Sequence, residues 1–342
     1  GMPKGVVACH RSVIDYVEQL TETLRVTEEN VFGMQVPLYV DACLKEIFST
    51  LKCGAHTWLL KKSLFMFPVN LVKYLNDHKI NTLCWVVSAL TMISGLGAFK
   101  KCVPEYLQTI AFGSEVFPTK QLKLWREYVP NARYINLYGP TEATGMSCWY
   151  ELPADKVFEE GDHVPIGKPF CNTDIMLLDE DDNLAEEGEI CIRGTCLTLG
   201  YYDDPERTAA VFCQNPLNKL YPELIYRTGD IARRDENGDL VFVSRKDSQI
   251  KHMGHRIELG EIEAAANANE AVVSSCCLFD GVKKRIILYF AGDIEEKPLA
   301  DFLKGKLPGY MMPQMMRKLD RIPTTDNGKI DRAGLKKLAG IQ

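Results

Sequence analysis

The sequence predicts an α/β protein extended by a β part and a small α+β part: a parallel sheet with helices on its faces over residues 1–160, a small antiparallel barrel over 161–246 and an α+β domain over 247–342. Three observations carry this. Residues 3–150 alternate helix-like segments with short apolar runs, the pattern of strands buried on both faces. Residues 165–245 change to short strands separated by turn signals. From about 248 a helix, two apolar strands and a basic tail are mixed.

In chain order, SVIDYVEQLTETL (12–24) and FPVNLVKYLNDHK (67–79) read as helices. TWLLK (57–61), NTLCWVV (81–87) and ARYINLY (132–138) read as strands. In the second part DIMLLD (174–179), GEICIRG (188–194) and DLVFVSR (239–245) are strands, the last preceded by the hairpin turn Asn237-Gly238. In the third, GEIEAAANAN (260–269) is helical, and AVVSSCCLF (271–279) and RIILYFAG (285–292) are strands.

Composition narrows the function classes. The 342 residues are 46% hydrophobic and 25% charged, ordinary globular values. A net charge of −6 argues against nucleic acid or an anionic membrane surface as partner. No apolar run reaches the roughly 18–20 residues of a membrane span, and the opening GMPKGVVACHRS is too short and polar for a signal peptide. None of the 12 cysteines forms C-x-x-C or pairs with histidine at zinc spacing. Most lie in apolar stretches such as SSCCLF, so buried free thiols in a reduced, cytoplasmic protein are expected. The six histidines show no metal spacing and are expected at the surface or in loops.

Three segments carry chemistry. In NLYGPTE (136–142) a strand ends in a Gly-Pro turn that presents Tyr138, Thr141 and Glu142 on one loop. Ligands collect at the carboxyl ends of parallel strands. An aromatic face, a hydroxyl and a carboxylate there suit a nucleotide through stacking, a phosphate hydrogen bond and a magnesium ligand. Alone, the segment is also compatible with a plain tight turn. In YRTGDIARRDENGDLVFVSR (226–245), Asp230 follows a glycine after a strand and Arg245 ends the next hairpin. A carboxylate so placed can accept hydrogen bonds from two ribose hydroxyls, although isolated Asp and Arg residues are usually surface charges. LPGYMMP (307–313) and NGKIDR (327–332) come last, with Lys329 beside a glycine; alone, such a lysine is ordinarily a solubilising residue.

Taken in this order, the segments resemble the adenylate-forming superfamily of acyl-CoA synthetases, luciferases and the adenylation domains of peptide synthetases. The resemblance runs from Pro3 to Arg332 and includes GEICIRGTCLTLGYYDDPERT (188–208). It implies an acyl-adenylate synthetase-like fold with a mobile C-terminal lid turning about Asp247. It also implies two steps: a carboxylate attacks the α-phosphate of ATP with magnesium present, releasing pyrophosphate, and a thiol then displaces AMP. By motif, Tyr138 would stack on adenine, Thr141 would contact phosphate, Glu142 would ligate magnesium, and Asp230 would hold the ribose with Arg245. Gly113, Ser114, Glu115, Asn136 and Gly139 would complete the nucleotide contacts, and Lys329 would bridge phosphate and substrate carboxylate. Ser244 stands where the family usually has glycine. The family's phosphate loop and a further α/β sheet lie ahead of Pro3-Lys4-Gly5, so the chain is expected to be a truncated form. An apolar face uncovered near its start would favour self-association.

YVDACLKEIF (39–48) resembles the amino-acid-activating branch, including ligases that load D-alanine onto a carrier protein. There Asp41 would pair with the substrate's α-ammonium. Trp85, Phe112, Leu137 and Met146 would line the side-chain pocket, with Lys45 near its edge, and their bulk implies a small amino acid. No carrier segment follows Arg332, so a phosphopantetheinyl carrier protein would act in trans, in preference to coenzyme A. Two alternatives stay open: an acyl-CoA synthetase of an organic acid, and an inactive remnant that at most binds AMP or an adenylate.

Overall fold

The computed structural model describes residues 4–159, 162–246, 249–323 and 330–341. Its contacts divide the chain into a unit of Lys4–Lys246 and a unit built on Asp247–Gln342.

The first unit begins with helix α1 (His10–Leu24). Ser12 is hydrogen-bonded to the backbone of Cys9 at its start, and Arg25 ends it in the left-handed conformation. Tyr16, Val17, Leu20 and Leu24 recur at helical spacing and are buried. There follow β1 (Val31–Met34), α2 (Leu44–Cys53), β2 (His56–Leu59), α3 (Pro68–Asp77), β3 (Thr82–Val86), α4 (Val87–Gly95), β4 (Thr109–Gly113), α5 (Thr119–Tyr128), β5 (Arg133–Tyr138), β6 (Cys148–Glu151) and β7 (Lys168–Pro169). These strands form one sheet in the order β2-β1-β3-β4-β5-β6-β7. Pairing is parallel from β2 to β5 and antiparallel from β5 to β7.

Strand alternation splits this sheet's core into two faces. Leu83, Trp85, Ile110 and Phe112 pack with α3, α4 and α5. Cys84, Ala111, Ile135 and Leu137 pack with α1 on the other side. Both faces are covered, which is why these strands read as continuous apolar runs.

An antiparallel sheet follows: β8 (Thr173–Leu178), β9 (Glu187–Gly194), α6 (Pro205–Val211), β10 (Phe212–Gln214), β11 (Leu224–Arg234) and β12 (Leu240–Arg245). Its order is β10-β11-β9-β8, with β12 also on β11. One apolar core joins its Ile190, Ile192, Tyr226 and Leu240 to Tyr138 and Cys148 of the first sheet. The carboxyl end of β5 is thereby pinned between the two sheets.

The second unit contains a hairpin, β13 (Gln249–His252) with β14 (His255–Glu258), then α7 (Leu259–Asn267), β15 (Val272–Asp280), β16 (Arg285–Gly292), α8 (Glu296–Lys304), β17 (Met315–Lys318) and α9 (Arg332–Ala339). β15 and β16 are antiparallel, and β17 runs parallel to β16. Cys277 and Leu288 face α7 and α8, whereas Cys276 and Ile287 face Leu335 of α9. The sequence pattern showed one helix and a basic tail here; the structure adds α8 and turns the tail into α9. Arg332 at the start of α9 makes two hydrogen bonds, of 2.8 and 2.9 Å, to the Glu263 carboxylate. His252 is a further correction: it is buried, with its ring 5.4 Å from that of Phe279, not at the surface.

Every cysteine is free, and Cys171 is the exposed one. Among the described residues no cluster of His, Cys, Asp and Glu could hold a metal, and no helix is long and apolar enough to cross a membrane.

Candidate adenylate site

The site is built where β5 ends. Asn136, buried, donates to the Pro165 carbonyl at 2.8 Å and ties β5 to the chain entering the second sheet. After Tyr138 the backbone turns so tightly that only glycine fits at 139. A Cβ there would lie 2.3 Å from the Gly145 carbonyl oxygen and 2.6 Å from Met146 Cα. The turn continues through a short 3-10 segment, Thr141–Ala143, and through Thr144 and Gly145 at φ 60° and 102°. On the neighbouring strand a Cβ at Gly113 would lie 2.3 Å from the Leu137 carbonyl oxygen. Ser114 follows in the left-handed region, and Glu115 accepts the Ser88 backbone N–H at 2.9 Å, at the start of α4. Of this group, Asn136 and Glu115 thus have clear structural work.

The two motifs of the first unit converge. The Tyr138 hydroxyl donates to Asp230 Oδ2 at 2.5 Å, and Arg245 Nη1 donates to Asp230 Oδ1 at 2.6 Å. Asp230 and Arg245 are cross-strand partners of the β11–β12 hairpin, so fifteen residues of sequence separation become a direct pair. Asp230 as a whole is 3% exposed. Burial, then the Asp230 charge, push the Tyr138 phenol well above its ordinary value, so it is a neutral donor. The Tyr138 ring lies within the core shared by the two sheets, not as an open platform.

Glu142 is buried, and its carboxylate accepts the Tyr201 hydroxyl. Its carbonyl accepts both the backbone N–H and the hydroxyl of Thr198, at 3.0 and 2.9 Å. Tyr201 lies in the segment that pairs with the beginning of the chain. Val7 N–H donates to Gly200, Leu199 N–H to Val7 and Tyr202 N–H to Gly5. The Lys4–Val7 stretch is therefore one bonded layer from Glu142. Sequence reasoning matched the segment carrying Tyr201 without assigning Tyr201 a role; its signal was a tyrosine beside a tight glycine, Gly200 at φ 104°.

The expected substrate residues divide between the two faces. Leu137 and Met146 are buried with Tyr16 on the α1 side. Asp41, half-buried at the start of a 3-10 turn, belongs with them: its Oδ2 and the Tyr16 hydroxyl both flank Gly145. Trp85 and Phe112 lie on the opposite side, which corrects the four-walled pocket. Trp85 donates to the Gly33 carbonyl at 2.6 Å and packs on Phe65, and Phe112 packs edge-on against Phe117. Strand parity is the reason: each is one residue out of step with the strand positions that face α1. Lys45, expected near the pocket's edge, is buried next to Glu46 in α2. Lys329 and Asp247 lie outside the described residues.

Known proteins resemble nearly the whole of the chain. Tyrocidine synthase 1 of Brevibacillus parabrevis is 32% identical over 343 residues, covering 98% of this chain and 30% of that protein. The L-proline--[L-prolyl-carrier protein] ligase of Streptomyces coelicolor is 31% identical, covering 98% of this chain and 64% of the ligase. The chain thus spans less than two thirds of either relative's length. The crystal structure of IdnL1 superposes with a TM-score of 0.84 at 27% identity, covering 94% of this chain and 67% of that one. With the AMP-binding enzyme family matching residues 1–202, this chain belongs to that family, within the adenylate-forming superfamily that its motifs resemble.

Proposed function

We propose that the chain activates an amino acid as its adenylate, using ATP, and passes the aminoacyl group to the thiol of a phosphopantetheinyl carrier protein. The observation that carries this reading is the hydrogen-bonded set Tyr138–Asp230–Arg245 at the carboxyl end of a parallel strand, with Glu142 one turn further on. Similarity to the L-proline--[L-prolyl-carrier protein] ligase, whose name specifies an amino acid and a carrier protein, supports both.

In the first step a carboxylate oxygen of the amino acid attacks the α-phosphorus and the bond to pyrophosphate breaks. In the second the carrier thiol attacks the acyl carbon and AMP leaves with the bonding electrons. Such chemistry needs positioning and charge neutralisation more than a covalent catalyst. Asp230 would take the ribose hydroxyls with Arg245 fixing its orientation, Thr141 would reach the phosphate, and Lys329 would neutralise the attacking carboxylate. Magnesium, when bound, screens phosphate charge. Glu142 as a single carboxylate fits its habit of binding one or two protein carboxylates plus phosphate oxygens. Asp41 would hold the substrate ammonium, and the buried bulk of Leu137 and Met146 supports a small side chain.

The test is amino-acid-dependent exchange of pyrophosphate into ATP across glycine, both alanine enantiomers and the remaining amino acids, with Lys329→Ala as control. Exchange with one small amino acid, lost in the control, is expected. Silence with every amino acid from a folded sample refutes the activity. AMP calorimetry with Asp230→Ala then tells whether a nucleotide site exists.

A further inference from the structure

Tyr16 of α1 has a buried hydroxyl, and that hydroxyl has no hydrogen-bond partner. A polar atom so placed costs the fold and calls for an explanation. Its surroundings supply one. Gly145 sits at φ +102°, and a methyl group in the place of its missing side chain would lie 3.5 Å from the Tyr16 phenolic oxygen and 3.6 Å from Asp41 Oδ2. The space left open by glycine is therefore flanked by two oxygens, one anionic and one a phenol. Burial, followed by the charges of Asp41 and Glu46 among others, pushes the Tyr16 phenol well above its ordinary value, so it stays neutral. A neutral phenol can direct its O–H towards a carboxylate while its oxygen accepts a further N–H.

We propose that Tyr16 is a specificity-determining residue whose hydroxyl, across the Gly145 space from Asp41, is a second acceptor for the substrate's α-ammonium. This rests on the amino-acid-activating reading and deepens it. A charged amine placed between the two oxygens donates to both, and the unpartnered hydroxyl acquires its bond only when an amine is present. An organic acid without an amine leaves it empty. Discrimination between amino and des-amino substrates then comes from two residues on different elements, not from Asp41 alone.

The test uses non-hydrolysable adenylate mimics and the whole chain. Glycyl-, D-alanyl- and L-alanyl-sulfamoyladenosine are compared by calorimetry with the acetyl and propionyl analogues that lack the amine. Tyr16→Phe is expected to weaken the best aminoacyl mimic about tenfold, the scale of one hydrogen bond to a charged group, and to leave the des-amino mimics essentially unchanged. Its melting temperature without ligand should equal or exceed that of the wild type, because a buried unpaired hydroxyl has been removed. Loss on both classes alike, with a lowered melting temperature, would make Tyr16 a prop of the fold and overturn the proposal. An unchanged aminoacyl affinity would overturn it too, with the amino-acid reading left standing. Wild-type protein that binds neither class, or both equally, would refute that reading and this inference with it.

Discussion

Glu46 offers a test of the first unit's interior that needs no ligand. Its side chain in α2 is enclosed, and neither carboxylate oxygen has a hydrogen-bond partner. Burial pushes the carboxyl up from 4.5 to about 7, against the opposing charge of Lys45. The direction of the stability effect follows from proton counting. Between 4.5 and about 7 the folded state holds a proton that the unfolded state has lost, so stability falls as pH rises through that window. Below it both states are protonated and the full stability is present; above it both are ionised and the loss is constant. At ~1.4 kcal/mol per pH unit, the whole window is worth about 3 kcal/mol. Glu46→Gln removes the titration with little change of shape. Urea denaturation at pH 5 and pH 8, followed by tryptophan fluorescence, reads this unit alone, because Trp58, Trp85, Trp125 and Trp149 all lie in it. The drop in stability from pH 5 to pH 8 should be larger for the wild type than for Glu46→Gln by about 2 to 3 kcal/mol, other titrations cancelling between the two. Equal drops would refute the claim that Glu46 is folded into the unit as a neutral acid.

Three further outcomes are expected. Asp230→Ala removes a counter-charge 2.6 Å from Arg245, whose side chain is 11% exposed; it should cost about 3 kcal/mol in denaturation and abolish AMP binding by calorimetry. Tyr201→Phe deprives the buried Glu142 carboxylate of a donor and should cost about 1–3 kcal/mol, with magnesium-dependent ATP binding weakened more than magnesium-free AMP binding. Ile14 of α1 and Phe48 and Leu51 of α2 are exposed on two helices that pack together, and light scattering should show concentration-dependent self-association; a monomer at every concentration would refute that.

What the sequence made legible, and what it hid, follows from how each signal arises. The parallel sheet was legible because strands buried on both faces leave unbroken apolar runs. The same property concealed which face each residue serves: in NTLCWVV nothing distinguishes Cys84, which packs with α1, from Trp85, which packs with α4. The pocket assignment failed at Trp85 and Phe112 for that reason. That Asp230 and Arg245 lie on one hairpin was legible from the Asn237-Gly238 turn, but their direct pairing was not: the register running back from the turn would set Asp230 opposite Ser244, and an irregularity between Ile231 and Ala232 moves its partner to Arg245. Tyr16 was not legible either. It sits at helical spacing among Val17, Leu20 and Leu24, where a tyrosine reads as one more core residue, and its lack of a partner is visible only in three dimensions. α9 was missed because it is only eight residues long, with Leu335 its one enclosed residue, so the lysines around it read as a basic tail.

The same contacts that stabilise the site also define what it can still bind. Asp230 receives Tyr138 on one oxygen and Arg245 on the other. An ionised carboxylate offers about four lone-pair positions, so each oxygen keeps one acceptor position on the side away from its protein donor. Two adjacent hydroxyls of a ribose are a chemical match for two such positions, whereas a single alcohol is not. The protein's own donors would then orient the carboxylate before the nucleotide arrives, so that binding need not pay for ordering it. This is why Asp230 is expected to fail in both assays at once. An Asp230→Ala variant that lost AMP binding while leaving stability untouched would mean that the Tyr138 and Arg245 bonds contribute nothing to the fold, and one that lost stability while still binding AMP would mean that this carboxylate is not what receives the ribose.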